Sequence, residues 1–492
     1  MIVKKDIPKE VLKVAETLEK GGFKAYLVGG CVRDLVLGKN PKDWDITTDA
    51  TPDEIRALWP EDDTFCNNDF GTVGVVNGDT EDESTKVVEV TPFRTEGAYS
   101  DARRPDEVKF GVSLDEDLKR RDFTINALAW RPEDEKIVDL FDGLEDLRKK
   151  RLKTVGKADD RFQEDALRMM RAVRLATELN FAIEAETMAS INRNNKLLSH
   201  ISAERIRDEW LRIIDSDIPM QGMAYLDRLD LLEYILPEIL PAKGCDQSGI
   251  HAYDVYEHLL RSLQAAADKG FSTQMRLAAL LHDIGKPATR REGGKTKKYT
   301  FFGHEVVGAK ITREVMKRLK MPKDIAVKVE KLVRWHMFFA DPDEITLSAV
   351  RRTIARIGEE NIDDLLNLRV CDRIGTGRPK EQPFRFRKYK AMVDEALRDP
   401  VSVKMLKTDG QRIMDITGEK PGKKLGYLLH ALLEEVLNDP AKNTEEYLDK
   451  RVKILISIDI QELEELANAG KRRQQEEEKE ALNAILKEHK VG

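Results

Sequence analysis

The runs with β-strand character in this chain are confined to about its first 150 residues. Three short apolar runs rich in valine or glycine occur there, AYLVGG, TVGVVN and TKVVEV, and helix-forming segments lie between them. From Asp159 onward, apolar residues recur at helical spacing. We therefore expect an α+β protein, in which an N-terminal α/β head precedes an all-α remainder.

The length of the chain and its breaks predict several domains. A chain of 492 residues exceeds what one ordinary core organises. Segments with the Pro, Gly and charge expected of connections lie near Pro237–Gly249 and Arg373–Pro383. The sequence therefore predicts four parts: a head at 1–150, a helical neck at 151–235, a middle domain at 236–376 and a helical tail at 377–492.

Composition excludes two classes of protein. The N-terminus MIVKKDIPKE is charged, and no stretch approaches the roughly 18 uncharged apolar residues that a membrane span needs. We expect a soluble, cytoplasmic protein with no membrane partner. The four cysteines lie far apart without a CxxC pair, so we expect reduced thiols and neither a disulfide framework nor a cysteine zinc site.

The formal charge of -7 does not favour an RNA partner, but the positive charge is unevenly distributed. Basic residues cluster at Arg148–Lys153 and at Arg378–Lys390. The second cluster is interleaved with Phe384, Phe386 and Tyr389, as a base-stacking surface would require. A solvated charged face explains either cluster equally well.

The segment YLVGGCVRDLVL predicts a strand that turns at Gly29 and Gly30 and enters a helix through Cys31–Leu37. Glycines allow the backbone to come close to a ligand. The amide groups at the start of that helix, with Arg33 one turn in, would favour a triphosphate. We interpret this segment as a candidate triphosphate site.

Three carboxylates follow that could hold metal ions. Asp43 and Asp45 lie two apart in DWDIT, so on a strand they point to the same side. Glu89 interrupts the apolar strand KVVEVTPF, where an unpaired carboxylate would be costly to bury. Two Mg²⁺ ions roughly 3.5 to 4 Å apart can polarise an attacking 3′-hydroxyl and stabilise a pyrophosphate leaving group. The alternative is that the two aspartates are turn or cap residues.

LVGGCVRD followed by DWDITTDATPDEI resembles the signature of the class II tRNA nucleotidyltransferase and poly(A) polymerase family. The resemblance implies a polymerase β-like head that uses Mg²⁺. RRDFTINALAW resembles the second motif of the family, which implies that Arg121 and Asp122 recognise the ribose, with Asn126 as a further nucleotide-binding residue. IVDLFDGLEDL resembles its hinge-like third motif, although Phe141 stands where the family usually has Pro.

The run DRFQEDALRMMRAVRLATELNF predicts one amphipathic helix in the neck, with Glu164, Asp165 and Arg168 near its start. Asp165 and Arg168 would share a face, and a carboxylate only accepts while a guanidinium only donates. That pair matches the pairing edges of cytosine and adenine and mispairs with guanine and uracil, which can cost a factor of about 10⁴ in specificity. The alternative is that Asp165 and Arg168 form only a surface ion pair.

The EDxxR pattern followed by RMMRAVRLA resembles tRNA nucleotidyltransferases more than bacterial poly(A) polymerases. It implies nucleotide binding by Asp165, Arg168, Arg171 and Arg174, and the addition of CCA to tRNA from CTP and ATP without a nucleic-acid template. TEGAYSDARRPDEVKF resembles the flexible loop that enzymes adding only C have shortened. A-only addition and poly(A) synthesis remain alternatives.

The middle domain carries a second cluster of metal ligands. LLHDIGKPAT, with His282 and Asp283, resembles the hallmark of an HD domain, and His258 and Asp372 complete the order of ligands. Imidazole and carboxylate together suit a divalent metal, whose identity stays open. His304 and His336 could extend the site to two metals. The resemblance implies either phosphohydrolase activity on RNA ends or a structural role.

The run GQRIMDITGEKPGKKLGYLL resembles the tail of bacterial CCA-adding enzymes that binds the body of tRNA. Lys423 and Lys424 fall at a predicted helix start, where a cation is unfavourable for the helix dipole. An external phosphate is therefore one expected partner, and plain solvation is the other.

Overall fold

The computed structural model describes residues 2–60, 63–66, 71–78, 80–96, 108–247, 252–292, 298–338, 345–377 and 380–467. The chain divides into two compact units, Met1–Ile235 and Leu236–Gly492. The greater part of the loop TEGAYSDARRPDEVKF lies outside the described residues, as does Arg378. The division into four domains stays a prediction.

The strands of the first unit are short and lie mainly in the head. They are β1 (Ala25–Val28), β2 (Trp44–Thr48), β3 (Thr64–Cys66), β4 (Val73–Val76), β5 (Val87–Pro92), β6 (Arg94–Glu96), β7 (Val108–Phe110), β8 (Leu128–Arg131), β9 (Lys136–Asp139), β10 (Arg151–Leu152) and β11 (Ala182–Ile183).

Seven of these strands form one mixed sheet in the order β3-β4-β5-β2-β1-β8-β9. All neighbours are antiparallel except β2 and β5, which run parallel and place Asp45 opposite Glu89. Along β5 the buried residues alternate with half-buried ones, because successive side chains of a strand point to opposite faces. The two carboxylates therefore share the face of the sheet opposite to the buried Val88 and Val90.

The helices of the first unit cover the sheet and build the neck. They are α1 (Lys9–Lys20), α2 (Gly30–Val36), α3 (Pro52–Ala57), α4 (Leu114–Lys119), α5 (Gly143–Arg148), α6 (Ala158–Glu164), α7 (Leu167–Leu179), α8 (Ala185–Asn194), α9 (Ala203–Ile214), α10 (Pro219–Arg228) and α11 (Leu232–Ile235). The mixed sheet with its helices confirms the predicted α/β head.

The prediction of one continuous helix at the start of the neck is wrong. The run divides into α6 and α7, and Asp165 lies between them with extended backbone angles. Its carboxylate accepts a hydrogen bond of 3.0 Å from the amide of Leu167, which is the competition with the helical backbone that aspartate side chains offer. Asp165 and Arg168 therefore do not share one helical face.

In its described residues the second unit is helical apart from one short pair of strands, in agreement with the expected all-α remainder. Its elements are α12 (Val255–Asp268), α13 (Thr273–Leu281), α14 (Lys286–Thr289), β12 (Arg291–Glu292), β13 (Tyr299–Thr300), α15 (His304–Arg318), α16 (Lys323–Trp335), α17 (Leu347–Ile357), α18 (Glu359–Gly375), α19 (Phe384–Ala396), α20 (Gly410–Thr417), α21 (Lys423–Asn438) and α22 (Glu445–Leu455).

Of the two interpretations that the sequence left open for the basic run on α19, the structure disfavours the stacking surface. Phe386 and Tyr389 are buried, and the Tyr389 ring packs against Phe338 with 5.3 Å between ring centroids. Only Phe384 is exposed among the three, with 69% of its surface accessible. Two of the three aromatic residues hold α19 in the core, so they are not available to stack on a base.

The four cysteines, Cys31, Cys66, Cys245 and Cys371, are free thiols, as the sequence predicts. Burial raises the pKa of Cys31 and of Cys371 to about 12. No helix in the described part of the chain is long and apolar enough to cross a membrane.

Candidate nucleotide site and metal centre

The turn between β1 and α2 brings the backbone against charged side chains. Gly29 has φ +80° and ψ −132°, a conformation that favours glycine. A Cβ atom at this position would lie 3.2 Å from Nη1 of Arg121 and 3.7 Å from Oδ2 of Asp45. The glycine therefore lets the first turn of α2, which begins at Gly30, approach the carboxylates and the Arg121 guanidinium together.

The three carboxylates of the head interact with one another. Burial raises the pKa of Asp45 to about 7, and the negative charges of Asp43 and Glu89 add to the rise, while Arg121 opposes it. The site thus concentrates negative charge, which a divalent cation would stabilise, so these residues fit Mg²⁺. In the described residues, however, every group of three or more ligands within 4.8 Å of one another lies in the second unit.

A chain of hydrogen bonds connects α2 to the neck. Arg33 donates to Asn126 at 2.9 Å, and Asn126 donates to Asp122 at 3.2 Å. Asp122 in turn accepts two bonds from Arg171, at 2.8 and 2.6 Å. Burial alone would raise the pKa of Asp122, but Arg171 outweighs it and holds the pKa below its ordinary value. Four predicted nucleotide-binding residues therefore form one connected network.

Asp117 is a residue of this site that the sequence reasoning missed. It is fully buried on α4 and accepts bonds from Arg120 at 2.7 Å and from Arg121 at 3.2 Å. Burial raises its pKa, but the two arginines outweigh that effect and hold the pKa below its ordinary value. The signal was an acidic residue three and four positions before two arginines, the spacing at which side chains meet in a helical turn. Asp117 therefore orients Arg121 toward Gly29.

In the neck, Asp165 and Arg168 each have a different partner. Arg205 on α9 donates to Asp165 at 2.7 Å. Arg168 pairs with Glu164, and it donates to the carbonyl of Arg120 at 3.3 Å. Arg168 and Glu164, four positions apart, thus form a partly buried ion pair, and Asp165 is not its acidic partner. Arg205 lies 40 positions from its partner, and no local pattern in the sequence indicates that contact.

Arg174 points into the core of the neck. It is buried, and its Nη1 lies 3.3 Å from the carboxylate of Glu209, which is also buried. Burial lowers the pKa of Arg174 to about 10, against the opposing effect of Glu209. Burial also raises the pKa of Glu209. The charge of Arg171 also acts on this pair and lowers the pKa of both Arg174 and Glu209.

The second unit brings together all six predicted ligands of the HD centre. His258 comes from α12, His282 and Asp283 follow α13, and Asp372 comes from α18. The Nε2 atom of His258 lies 3.1 Å from Nε2 of His282, 3.2 Å from Oδ2 of Asp283 and 3.5 Å from Oδ1 of Asp372. Bonds of about 2.0–2.2 Å to one metal place ligand atoms about 3 to 3.6 Å apart, so this geometry fits a shared cation.

A second group of ligands shares Asp283 with the first. His304 begins α15, and His336 follows the last residue of α16. Their Nε2 atoms lie 3.1 Å apart, and they lie 3.1 and 3.4 Å from Oδ1 of Asp283. Asp283 therefore offers one oxygen to each group, as a carboxylate that bridges two cations would.

The histidine tautomers favour a cation over mutual hydrogen bonds. The Nδ1 atom of His282 lies 2.9 Å from the carbonyl oxygen of Ala279. The Nδ1 atoms of His304 and His336 each lie 2.7 Å from a backbone carbonyl oxygen. A carbonyl only accepts, so Nδ1 carries a proton, and Nε2 presents a lone pair whenever the ring is neutral, as it is when it binds a metal. Lone pairs facing each other and a carboxylate repel unless a positive charge lies between them.

The charges around the centre act on its histidines in opposite directions. Burial lowers the pKa of His282, but the carboxylates of Asp283 and Asp372 outweigh it and raise the pKa to about 10. For His336, burial dominates and lowers the pKa to about 4. Lys286 is a further cation that the sequence reasoning missed, and its ammonium lies 2.6 Å from both Asp283 and Gln247.

Comparison with known proteins agrees with this architecture. Residues 25–153 match the poly A polymerase head domain, residues 180–243 match the probable RNA and SrmB-binding site of polymerase A, and residues 255–374 match the HD domain. Fold and site therefore define a class of protein in which a poly(A)-polymerase-type head precedes a helical segment and an HD domain.

Relatives extend the match along the chain. The CCA-adding enzyme of Ligilactobacillus salivarius is 33% identical over 450 residues, which cover 91% of this chain and 96% of that protein. The enzyme of Lactobacillus delbrueckii subsp. bulgaricus is 51% identical over 205 residues, and there the chain spans about half the length of the relative. The chain belongs to the CCA-adding enzyme family.

Solved structures share the fold. The Bacillus stearothermophilus CCA-adding enzyme in complex with CTP is 27% identical, with a TM-score of 0.66 over 91% of this chain and 96% of that one. The Thermotoga maritima CCA-adding enzyme complexed with tRNA is 18% identical, with a TM-score of 0.53 over 92% and 97%. At 18% identity, the comparison with the Thermotoga maritima structure shows only that the two folds are similar.

Proposed function

We propose that this chain adds CCA to the 3′ end of tRNA from CTP and ATP, releases pyrophosphate and uses no nucleic-acid template. The observation that carries the proposal is the meeting of the Gly29 turn and Arg121 with the carboxylates of Asp45 and Glu89, which share one face of the sheet, while Asp43 lies just before β2 and acts on Asp45 through its charge. Family membership supports it, and the related structure with CTP supports CTP as a substrate. The cytoplasmic location stays a prediction.

In this proposal the head residues position an incoming triphosphate. Amides at the start of α2 and the guanidinium of Arg33 hold its phosphates, and Arg121 with Asp122 holds its ribose. Asp43, Asp45 and Glu89 would hold Mg²⁺, which supplies Lewis acidity to the reacting phosphate and lowers the pKa of the attacking hydroxyl. The 3′-hydroxyl of the RNA loses its proton to solvent, and its oxygen forms a bond to the α-phosphorus. The bond between the α-phosphorus and the bridging oxygen breaks, and pyrophosphate leaves.

We further propose that Asp165 and Arg168 select the base. Arg205 and the amide of Leu167 fix Asp165, and the carbonyl of Arg120 helps to fix Arg168, so both groups are held before a nucleotide arrives. Asp165→Ala should weaken the preference for CTP and ATP over GTP and UTP, while leaving incorporation possible. Unchanged selectivity in a competition assay with all four triphosphates would refute this role.

The tail is the proposed contact with tRNA. On α19, Arg387 and Lys390 are exposed on the side opposite to the buried Tyr389. Lys423 begins α21 behind Gly422, where two adjacent lysines oppose the helix dipole. Changing Arg387 and Lys390 to Glu together should weaken tRNA binding and reduce its salt dependence. An unchanged dissociation constant for tRNA would remove this surface from the proposal.

Radiolabelled CTP and ATP, offered with tRNA that lacks its CCA end, test the main proposal. Incorporation of both nucleotides supports CCA addition, whereas A alone indicates an A-adding enzyme and long A tracts indicate a poly(A) polymerase. Asp45→Asn should abolish extension because it removes charge from the metal-binding face. Asp53→Asn, at an exposed position on α3, is the matched control and should retain the rate of the parent. Undiminished extension by Asp45→Asn would refute the mechanism.

The HD centre supports a second activity, hydrolysis of phosphate esters at RNA ends. The supporting observation is the pair of ligand groups that share Asp283. A divalent cation held there would supply Lewis acidity at the phosphate. Water adds to phosphorus, the ester P–O bond breaks, and the released alcohol takes a proton. His282→Ala with Asp283→Ala should abolish phosphodiesterase activity while tRNA extension persists, and equal hydrolysis by variant and parent would leave a structural role.

A further inference from the structure

The C-terminal end of α4 is held by two arginines of the neck. Carbonyl groups at the end of a helix lack partners within that helix. The Nη1 atom of Arg161, on α6, donates to the carbonyl of Lys119 at 3.3 Å. The Nη2 atom of Arg168, on α7, donates to the carbonyl of Arg120 at 3.3 Å. Both helices of the interrupted run in the neck are therefore fastened to the same end of one helix in the head.

One carboxylate joins these two arginines. The Oε1 atom of Glu164 accepts a hydrogen bond from Arg161, and its Oε2 atom accepts one from Arg168. Arg168 also donates to the carbonyl of Arg161 at 3.1 Å. Only 11–23% of each of the three side chains is exposed, so water and salt screen these contacts weakly. The position of the Arg168 guanidinium therefore depends on Arg161 as well as on Glu164.

The same end of α4 also holds the residue proposed to bind the ribose. Asp117 accepts hydrogen bonds from Arg120 at 2.7 Å and from Arg121 at 3.2 Å. Arg121 in turn lies against the turn at Gly29. The short segment 117–121 therefore connects the side chain proposed for the ribose with the backbone carbonyls that receive the arginines of the neck.

We propose that Arg161 is a positioning residue for base selection, which places the Arg168 guanidinium through Glu164. The inference rests on the base-selecting role proposed for Asp165 and Arg168. In this role Arg161 acts through Arg168 and does not contact the nucleotide. Hydrogen bonds weaken steeply when donor and acceptor are misaligned, so a displaced guanidinium discriminates less between bases. The bonds that hold the phosphates and the ribose do not involve Arg161 and should persist.

A positioning role and a purely structural role predict different kinetics. If Arg161 only stabilised the neck, its loss would lower the free energy of unfolding and slow the incorporation of all four triphosphates by the same factor. If Arg161 positions Arg168, its loss lowers kcat/KM for CTP and ATP more than for GTP and UTP, because the latter pair mispairs with Arg168 in any case. The ratio between the triphosphates therefore distinguishes the two roles.

Incorporation of single nucleotides by the full chain, with Mg²⁺ and tRNA that lacks its CCA end, tests the inference. Arg161→Met should lower the preference for CTP over UTP about 5- to 20-fold, the effect of one partly exposed hydrogen bond to a charged group. Arg161→Lys keeps the charge beside Glu164 but lacks the planar fork that reaches two acceptors, so it should lose less of the preference. Arg193→Met is the matched control, because Arg193 joins α8 to the same helix α6 through Asp159 at 2.7 Å, and it should keep the preference of the parent.

Asp165→Ala, measured beside these variants, separates the inference from the proposal on which it rests. If Asp165→Ala weakens the preference but Arg161→Met keeps it, or slows all four triphosphates equally, the positioning role is overturned and the base-selecting proposal stands. If neither variant changes the preference, the base-selecting proposal fails and the inference fails with it. Should Arg161→Met not fold, Arg161→Lys gives the same test, and an unchanged preference in that variant overturns the inference.

Discussion

Replacing Asp122 with Asn tests the network that joins the head to the neck. Asp122 is 8% exposed and accepts hydrogen bonds from the amide of Phe123 at 2.8 Å, from Asn126 at 3.2 Å and from Arg171 at 2.8 and 2.6 Å. Asparagine keeps the shape but removes the charge that pairs with Arg171. A hydrogen bond to a charged group contributes about 1.5–3 kcal/mol.

Partial exposure of Arg171 reduces that cost. Its side chain is 35% exposed, so water replaces part of what the carboxylate supplied. We expect Asp122→Asn to lower the free energy of unfolding by about 2–3 kcal/mol. Asn126 also loses a fixed acceptor, and Asn126 holds Arg33. The KM for CTP should therefore rise together with the loss of stability.

The pH dependence of this effect has a defined sign. The folded protein holds the pKa of Asp122 below its ordinary value of 3.8, because Arg171 outweighs burial. A depressed carboxyl pKa contributes stability that is fully present above the unfolded pKa and is lost as pH falls through the folded pKa. The difference between parent and Asp122→Asn should therefore be constant from pH 5 to pH 8 and shrink below about pH 4.

Urea unfolding of both proteins at several pH values measures the effect. Asp134→Asn, in the exposed turn between β8 and β9, is the matched control and should change the free energy of unfolding by less than about 0.5 kcal/mol. A double-mutant cycle with Arg171→Gln should give a coupling of about 1.5 kcal/mol or more. A loss below about 0.5 kcal/mol, or a coupling near zero, would refute the reasoning.

Three further predictions follow from single positions. Gly29→Ala should raise the KM for CTP about tenfold or more, because the added Cβ would meet the guanidinium of Arg121. Gly38 also has a positive φ but has open space around it, so Gly38→Ala should lower the stability without changing the KM. His304→Gln should lower bound divalent metal by one equivalent per chain, measured by elemental analysis, without slowing tRNA extension. Tyr389→Ala should cost about 3–5 kcal/mol in urea unfolding, whereas Phe384→Ala should stay within about 0.5 kcal/mol.

Local patterns predicted the parts of the fold that local chemistry determines. The strand at TKVVEV and the turn at Gly29 follow from a few neighbouring residues, and the structure has both. The pairing of β2 with β5 is different. It sets Asp45 opposite Glu89, which is 44 positions away, and the intervening strands β3 and β4 join the sheet on the other side of β5. No spacing in the sequence encodes that register.

The error at the neck and the choice between the two interpretations of α19 have physical causes. Helical periodicity continues across Asp165, but its carboxylate competes for the amide of Leu167 and interrupts the helix. On α19, aromatic and basic residues alternate in a way that suits stacking as well as an amphipathic helix. The structure favours the amphipathic helix, because Phe386 and Tyr389 are buried in the core. Arg205 was missed because its contact with Asp165 depends on how α9 packs beside the break.

The two candidate metal sites differ in how far the protein alone prepares them. Within each of the two HD groups the ligand atoms already lie within 4.8 Å of one another, and backbone carbonyls fix three of the four histidine rings. In the head the carboxylates of Asp43, Asp45 and Glu89 interact electrostatically but are not gathered within that distance. Mg²⁺ characteristically combines one or two carboxylates with substrate phosphates. The wider spacing in the head therefore leaves room for triphosphate oxygens, so the cation and the nucleotide would bind there together.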